Sequence, residues 1–300
     1  MSIKFKKHGN VKIRVIDDEI EEVFMSSDYL DECIYYINSY KVKSIDVTMP
    51  YYQDSNINFL EKCPHVTDIA LDSSNLKDIS GLLHINKIKS LSITESITVD
   101  GKVNVDLSLY PNTETLYIHW TKKVKGLSFL HNLKELAIWK YAPATSDLSE
   151  IASLCSLETL RITQGKIASL SGIESLQELK HLELNYLRNL SSLKGLETLY
   201  KNLKTLETEC CKKIEDFSYV KFLTSLEVLK LCNSGQIESL SFIKALKNLT
   251  HFVFSRTNLL DGDITPCLHL NYVYYDSKKH YSHNWSKIDK WTKQVKSNII

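Results

Sequence analysis

The stretch from Leu157 to Leu184 states one pattern twice: Leu157-x-x-Leu160-x-Ile162 returns 22 residues later as Leu179-x-x-Leu182-x-Leu184. A unit that short cannot bury its own apolar side. Recurrence at such a period therefore commits a chain to stacked turns that share one core with their neighbours. Taking the first apolar position as the start of each turn, starts fall at Val42, Val66, Ile88, Thr113, Leu133, Leu157, Leu179, Leu203, Leu226, Leu249 and Leu270, spaced 20 to 25 residues apart.

The fourth and sixth positions are apolar almost throughout, as in Ile69/Leu71, Leu91/Ile93, Leu116/Ile118, Leu136/Ile138, Leu229/Leu231, Phe252/Phe254 and Val273/Tyr275, with Thr208 the polar exception. Between these segments a second phrase, apolar-x-x-apolar-Ser, appears in Leu76–Ser80, Ile167–Ser171, Ile214–Ser218 and Ile237–Ser241. On these residues the chain resembles the leucine-rich repeat family, specifically its short-repeat, internalin-like class, over residues 42 to 278. The resemblance implies an α/β solenoid, or horseshoe, with a parallel sheet on the concave face and short helical or 3-10 segments on the convex face. In the family the ninth position usually holds Asn or Cys. Here it holds Ser74, Ser96, Thr121, Tyr141, Gly165, Leu187, Cys211, Ser234 and Thr257, so only Cys211 conforms.

The ends of a solenoid expose an apolar edge that must be covered. Residues 1 to 41 read as an N-terminal cap: a hairpin of Ile3–Phe5 and Val11–Val15 around Gly9-Asn10, then a helix carrying Tyr29, Leu30, Cys33, Ile34 and Ile37 behind Asp28. Residues 279 to 300 read as a C-terminal cap helix, with Trp285, Ile288, Trp291 and Val295 at helical spacing among Lys287, Lys290, Lys293 and Lys296. A basic amphipathic segment of that kind also suits an acidic partner or a membrane surface. The serines that close the second phrase, Ser80, Ser128, Ser171, Ser218 and Ser241, read as N-caps of the segments that follow.

Lys plus Arg number 37 and Asp plus Glu 36, so no global field draws the chain to nucleic acid, and no window is long and apolar enough to span a membrane. The first residues contain no apolar signal core, which sets the expectation of a cytoplasmic, reducing location. The seven cysteines form no CxxC pair and no zinc spacing; Cys63 and Cys267 stand where other turns place Ile85, Leu130, Leu154 and Leu246, as small core residues. No phosphate loop, dinucleotide fingerprint, HExxH or GxSxG occurs, so neither a cofactor nor a metal is expected. His280 and His283 have no acidic or thiol cluster beside them to complete a metal shell.

Function then rests on the outward positions five and seven of the strands. In order these bring Tyr117 and His119, with Trp120 adjoining, then Trp139 and Arg161, then Glu183, Asn185, Glu207 and Glu209, with Tyr186 at the rim. Aromatic and Arg side chains dominate protein interfaces, and an acidic row beside them would choose a basic partner. The expectation is a non-enzymatic scaffold that holds a protein partner of unknown identity, as a bacterial adaptor or a toxin-neutralising protein. The alternative is a thiol enzyme using Cys232 or Cys210 with a nearby histidine such as His251.

Overall fold

The computed structural model describes residues 2–85, 87–98 and 103–284, and the chain divides into two compact units, Met1–Ile138 and Trp139–Ile300. Of the C-terminal cap helix expected over residues 279–300, residues 285–300 lie outside the described residues and 279–284 form turns and bends.

The first unit opens with three antiparallel strands. Strand β1 (Ile3–His8) pairs with β2 (Val11–Ile16) through a turn at Gly9, whose φ of +59° suits glycine, and β2 pairs with β3 (Ile20–Phe24). Helix α1 (Leu30–Tyr40) follows, burying Cys33, Ile34, Tyr36 and Ile37 while Tyr29 stays exposed. Strand β3 was not foreseen. It sits parallel to β4 (Ser44–Thr48) and so converts an antiparallel hairpin into the start of a parallel sheet. Its neighbours in chain order are β5 (Asp68–Asp72), β6 (Ser90–Ile93), helix α2 (Glu95–Thr98), β7 (Val105–Asp106), β8 (Thr115–His119), β9 (Val124–Lys125) and β10 (Glu135–Trp139). The sheet order in this unit is β1-β2-β3-β4-β5-β6-β8-β10, while β7 and β9 pair with each other apart from it.

The second unit carries β11 (Thr159–Thr163), β12 (His181–Asn185), β13 (Thr205–Glu209), β14 (Val228–Cys232), β15 (His251–Val253) and β16 (Tyr272–Tyr274), all parallel and adjacent in chain order. The ladder has no slip: Leu160, Leu182, Leu206, Leu229, Phe252 and Val273 stand side by side. At positions four and six every side chain in both units is at most 2% exposed, from Ile45/Val47 to Val273/Tyr275. Burying each such Leu or Ile is worth about 1.5–3 kcal/mol. Thr208 is buried too, and its hydroxyl is satisfied by the Ser234 hydroxyl 3.0 Å away.

Two periodic devices shape the turns, the second of them in the six turns that start at Leu133, Leu157, Leu179, Leu203, Leu226 and Leu249. The N–H of the fifth-phrase serine is captured by an Asp or Ser two residues earlier: Asp78 for Ser80, Ser169 for Ser171, Asp216 for Ser218 and Ser239 for Ser241. These serines thus donate a backbone N–H to the side chain two residues before, and the N-cap role expected at Ser80, Ser128, Ser171, Ser218 and Ser241 is corrected, the cap positions being Ile79, Gly126, Gly172, Phe217 and Leu240; an Asx- or Ser-turn uses the shorter i to i+2 reach. The same device serves Ser108 from Asp106, Ser149 from Asp147 and Thr265 from Asp263.

The second device is a left-handed residue at position eight. Lys140, Gln164, Tyr186, Cys210, Asn233 and Arg256 all have φ between +46° and +59°, turning the chain out of the strand toward the buried ninth position. There the Cys211 thiol donates to the Leu184 carbonyl at 3.2 Å and the Thr257 hydroxyl to the Leu231 carbonyl at 2.7 Å. Each carbonyl belongs to position six of the preceding turn, so two different side chains do one job. Gln164 and Gly165 make a test pair. Gln164 is exposed and has φ +59°, a conformation that disfavours any residue with a Cβ by about 1–2 kcal/mol. A Cβ on Gly165 would sit 3.0 Å from Leu187 and 3.1 Å from both Ile162 and the Tyr141 carbonyl. Gln164→Gly is expected to stabilise the protein by about 0.5–1 kcal/mol and Gly165→Ala to destabilise it by about 1–3 kcal/mol, as read from chemical denaturation midpoints.

Candidate protein-binding faces of the sheet

In the second unit, register decides the chemistry of the open face. Position five runs Arg161, Glu183, Glu207, Lys230 across four neighbouring strands. The charges read plus, minus, minus, plus, and they close in pairs: Arg161 Nε lies 2.9 Å from Glu183 and Lys230 Nζ 2.7 Å from Glu207. Position two gives the inverse order, Glu158, Lys180, Lys204, Glu227, closed at 2.7 Å and 2.8 Å. The acidic row expected at Glu183, Glu207 and Glu209 is therefore corrected. Two of the three carboxylates already have a cation in the neighbouring strand, so the position-five row Arg161, Glu183, Glu207, Lys230 is neutral and Glu209, at position seven, stands outside it. Each exposed pair adds only about 0–1 kcal/mol to stability, so the row's effect lies in presenting fixed, alternating charges.

Glu209 remains exposed, touched by the Tyr186 hydroxyl at 3.4 Å, and its charge pushes the Tyr186 phenol to a higher pKa. Tyr186 projects at the rim, 41% exposed. Glu183, Asn185, Glu207 and Glu209 line one side of a shallow polar concavity of about 610 Å³; Cys232 and Ser255 stand between them and Arg256, Tyr274 and Asp276. Trp139, the first residue of this unit, is 41% exposed although the inward residues of its strand are sealed.

The first unit presents its members of the expected set differently. Tyr117 is half-buried and donates its hydroxyl to Glu135 at 2.9 Å. Trp120 is half-buried at the strand end. His119 is buried, 7% exposed, with Nδ1 3.8 Å from Glu95, so its expected outward exposure is corrected. The turn between Ile88 and Thr113 is the longest, and it inserts α2 against the end of β8, covering the imidazole.

No protein-family model matches the chain, and no curated protein matches it. Solved structures do. A leucine-rich repeat protein of Leptospira interrogans superposes with a TM-score of 0.50 at 18% identity, covering 84% of this chain and 58% of that one. The functional domain of InlJ from Listeria monocytogenes gives 0.50 at 13% identity, covering 79% and 59%. PEPR1 in its complex with AtPEP1 gives 0.53 at 13%, covering 82% and 40%. The fold is a leucine-rich repeat solenoid. Its short turns are internalin-like, and its buried ninth position uses Cys, Ser and Thr side chains for backbone contacts.

Within this leucine-rich repeat fold Cys232 and His251, both among the described residues, stand apart. Register sets His251 beside Val228, four residues along the strand from Cys232, a separation of about 13 Å at the usual rise. The His251 ring bonds Thr250 and leans on Tyr272, while the Cys210 thiol accepts from the Asn233 amide at 3.0 Å. His280 meets the Leu259 carbonyl and His283 the Ser282 hydroxyl. Among the described residues no group of three metal-binding side chains converges, and no helix is long and apolar enough to cross a membrane. Burial pushes the thiols of Cys63 and Cys211 up to about 11 and that of Cys267 up to about 12. Iodoacetamide at neutral pH is accordingly expected to label exposed Cys155 and half-exposed Cys210 and Cys232, sparing Cys63, Cys211 and Cys267 until denaturant is added, as mapped by peptide mass spectrometry.

One buried charge cluster sits at the start of the sheet. Glu22 and Asp46 are 7% and 9% exposed and share Arg14, which is bonded to Glu22 and lies 3.4 Å from Asp46. Burial, then the Glu22 charge, raise the Asp46 carboxyl to about 6 against the pull of Arg14, with a further rise from Asp72 and a further drop from Lys12. A raised carboxyl pKa means that the folded protein still holds a proton the unfolded chain has released. Stability must then fall as pH rises through about 4 to 6, and the full cost applies above that window. Asp46→Asn is expected to raise stability at pH 7.5 by about 2 kcal/mol and to change it little at pH 4; melting curves at both pH values check this.

Proposed function

We propose that the chain is a non-enzymatic protein–protein interaction scaffold whose open sheet face in the Trp139–Ile300 unit holds a protein partner, with Trp139 as the anchor. The observation that carries this reading is the Trp139 indole, 41% exposed at an outward position where the repeat asks for no large apolar residue. Exposed Trp with neighbouring Arg is the composition of interface hot spots. The pre-paired rows through Arg161, Glu183, Glu207 and Lys230 then favour a partner with alternating charges in preference to a uniformly basic one, since each fixed ion meets its complement at little reorganisation. Asn185, Tyr186 and Glu209 supply hydrogen-bonding groups at the rim. Tyr117, His119 and Trp120 of the other unit support their own strand end in this reading, with Tyr117 and Trp120 partly accessible.

An adaptor, or a protein that masks the active surface of a toxin in a bacterial cytoplasm, would need no more than such a face. The test is a pull-down from native cytosol with the wild type and with Trp139→Ala, both first shown to melt at the same temperature. Loss of the wild type's partner, with affinity weakened at least about thirtyfold, is the expected result. Equal recovery by both proteins would move the site away from Trp139.

A further inference from the structure

The N-terminal hairpin carries four lysines on two faces, and the two faces are treated differently. On the inner face Lys4 lies 2.8 Å from Asp18 and Lys6 is bonded to Glu21. On the outer face Lys7 stands directly opposite Lys12 in the antiparallel ladder, and neither has a carboxylate within salt-bridge distance among the described residues. Like charges facing each other across a ladder repel. Of the nearby acids, Glu22 and Asp46 are turned to Arg14, and Asp46 feels the Lys12 charge without forming an ion pair with it.

Aromatic groups hold the Lys12 ammonium instead: the Tyr51 ring at 4.4 Å, Phe24 at 4.9 Å and Phe5 at 5.5 Å, with the Tyr51 hydroxyl at 2.7 Å. Around the two cations lie exposed apolar side chains, with Phe5 60%, Ile3 46%, Met49 41% and Tyr51 38% exposed. Strand β1 is also the outermost strand of its unit's sheet, paired only with β2, so one side of its backbone ladder is open among the described residues.

We propose that β1 is a docking edge for an extended acidic segment of a partner protein, which adds as a further strand and sets apolar side chains on Ile3 and Phe5 and a carboxylate beside Lys7, with Lys12 adding its charge from the next strand. The backbone supplies affinity and alternate side chains supply selection, as in other strand-addition modes. Charge fixes the occupant. A second copy of this chain would bring Lys4, Lys6 and Lys7 against their own kind, whereas an acidic strand brings Lys7 the carboxylate it lacks, Lys4 and Lys6 being already paired with Asp18 and Glu21. This surface lies in the Met1–Ile138 unit and does not depend on the Trp139 reading.

The test uses the full chain and a fluorescein-labelled peptide, acetyl-Glu-Val-Glu-Phe-Glu-Val-Glu-amide, with its Lys-for-Glu counterpart, an oligothymidylate and phosphatidylserine vesicles as parallel probes. Fluorescence anisotropy is expected to show the acidic peptide binding at about 1 mM or tighter in low salt, weakening at least about tenfold in the K7E/K12E variant and again as salt rises. Matching melting temperatures of wild type and variant keep a folding defect from imitating that loss, and Phe5→Ser supplies a second variant expected to weaken binding without changing charge. The proposal is overturned if the acidic peptide fails to bind or binds no better than the basic one. Unchanged binding by K7E/K12E, preference for the oligonucleotide or vesicles, or self-association through β1 seen by light scattering overturns it as well.

Discussion

Everything in this chain depends on strands stacking without slip. In a parallel ladder each residue has a fixed neighbour one strand away, and a shift of one residue would move the whole apolar set from the interior to the open face. Turns of 20 to 25 residues tolerate that condition because the variation is absorbed in the return path, while strand and second phrase keep their spacing. The left-handed residue at position eight is what lets a turn leave the strand and bury position nine at once. Six such residues in six consecutive turns, none of them glycine, mark a cost that recurs because the geometry requires it.

The same register converts sequence into surface. Once Leu160 and Leu182 are neighbours, Arg161 and Glu183 must be neighbours as well, and the identity of one turn's fifth residue sets the environment of the next. The open face is thus a printed array whose members are fixed by the core beneath them. Neutral pairing in the second unit leaves Trp139, Tyr186, Glu209 and the last strand's Tyr272 and Tyr274 as prominent features, whereas in the first unit Phe5 and Tyr51 stand exposed beside Lys12 of the N-terminal hairpin. Function on such a scaffold is a matter of surface, since the fold alone selects no partner.

Much of the fold was legible because the signal was periodic: positions one, four and six needed only a correct anchor, and Cys63, Cys211 and Cys267 fell into the core with them. What escaped was non-periodic. Strand β3 buries Val23 and Phe24 consecutively and lacks the alternation that marks a strand. His119 looked outward because its own turn is regular; the helix that covers it belongs to the insertion in the turn before. The serine's backbone N–H is captured by the side chain two residues before it, a distinction in reach that apolar spacing does not encode. Adding Glu183, Glu207 and Glu209 as charges missed Arg161 and Lys230 at either end of the same row, although the repeat frame already held all five. Which of the exposed residues meet a partner is set by that partner's chemistry, which leaves no trace in core periodicity.

If register is the governing constraint, one whole turn should be removable. Deleting residues 179–202 joins Glu178 to Leu203, sets Leu160 beside Leu206, Arg161 beside Glu207 and Glu158 beside Lys204, and keeps every pairing of like with like. The decisive measurement is the thermal unfolding of this deletion, followed by circular dichroism. Stacking by nearest neighbours predicts an unchanged far-ultraviolet spectrum per residue and one cooperative transition at a modestly lower temperature. Loss of the folded baseline, or a spectrum of disordered chain, would contradict it and show that the turns are held by contacts beyond their neighbours.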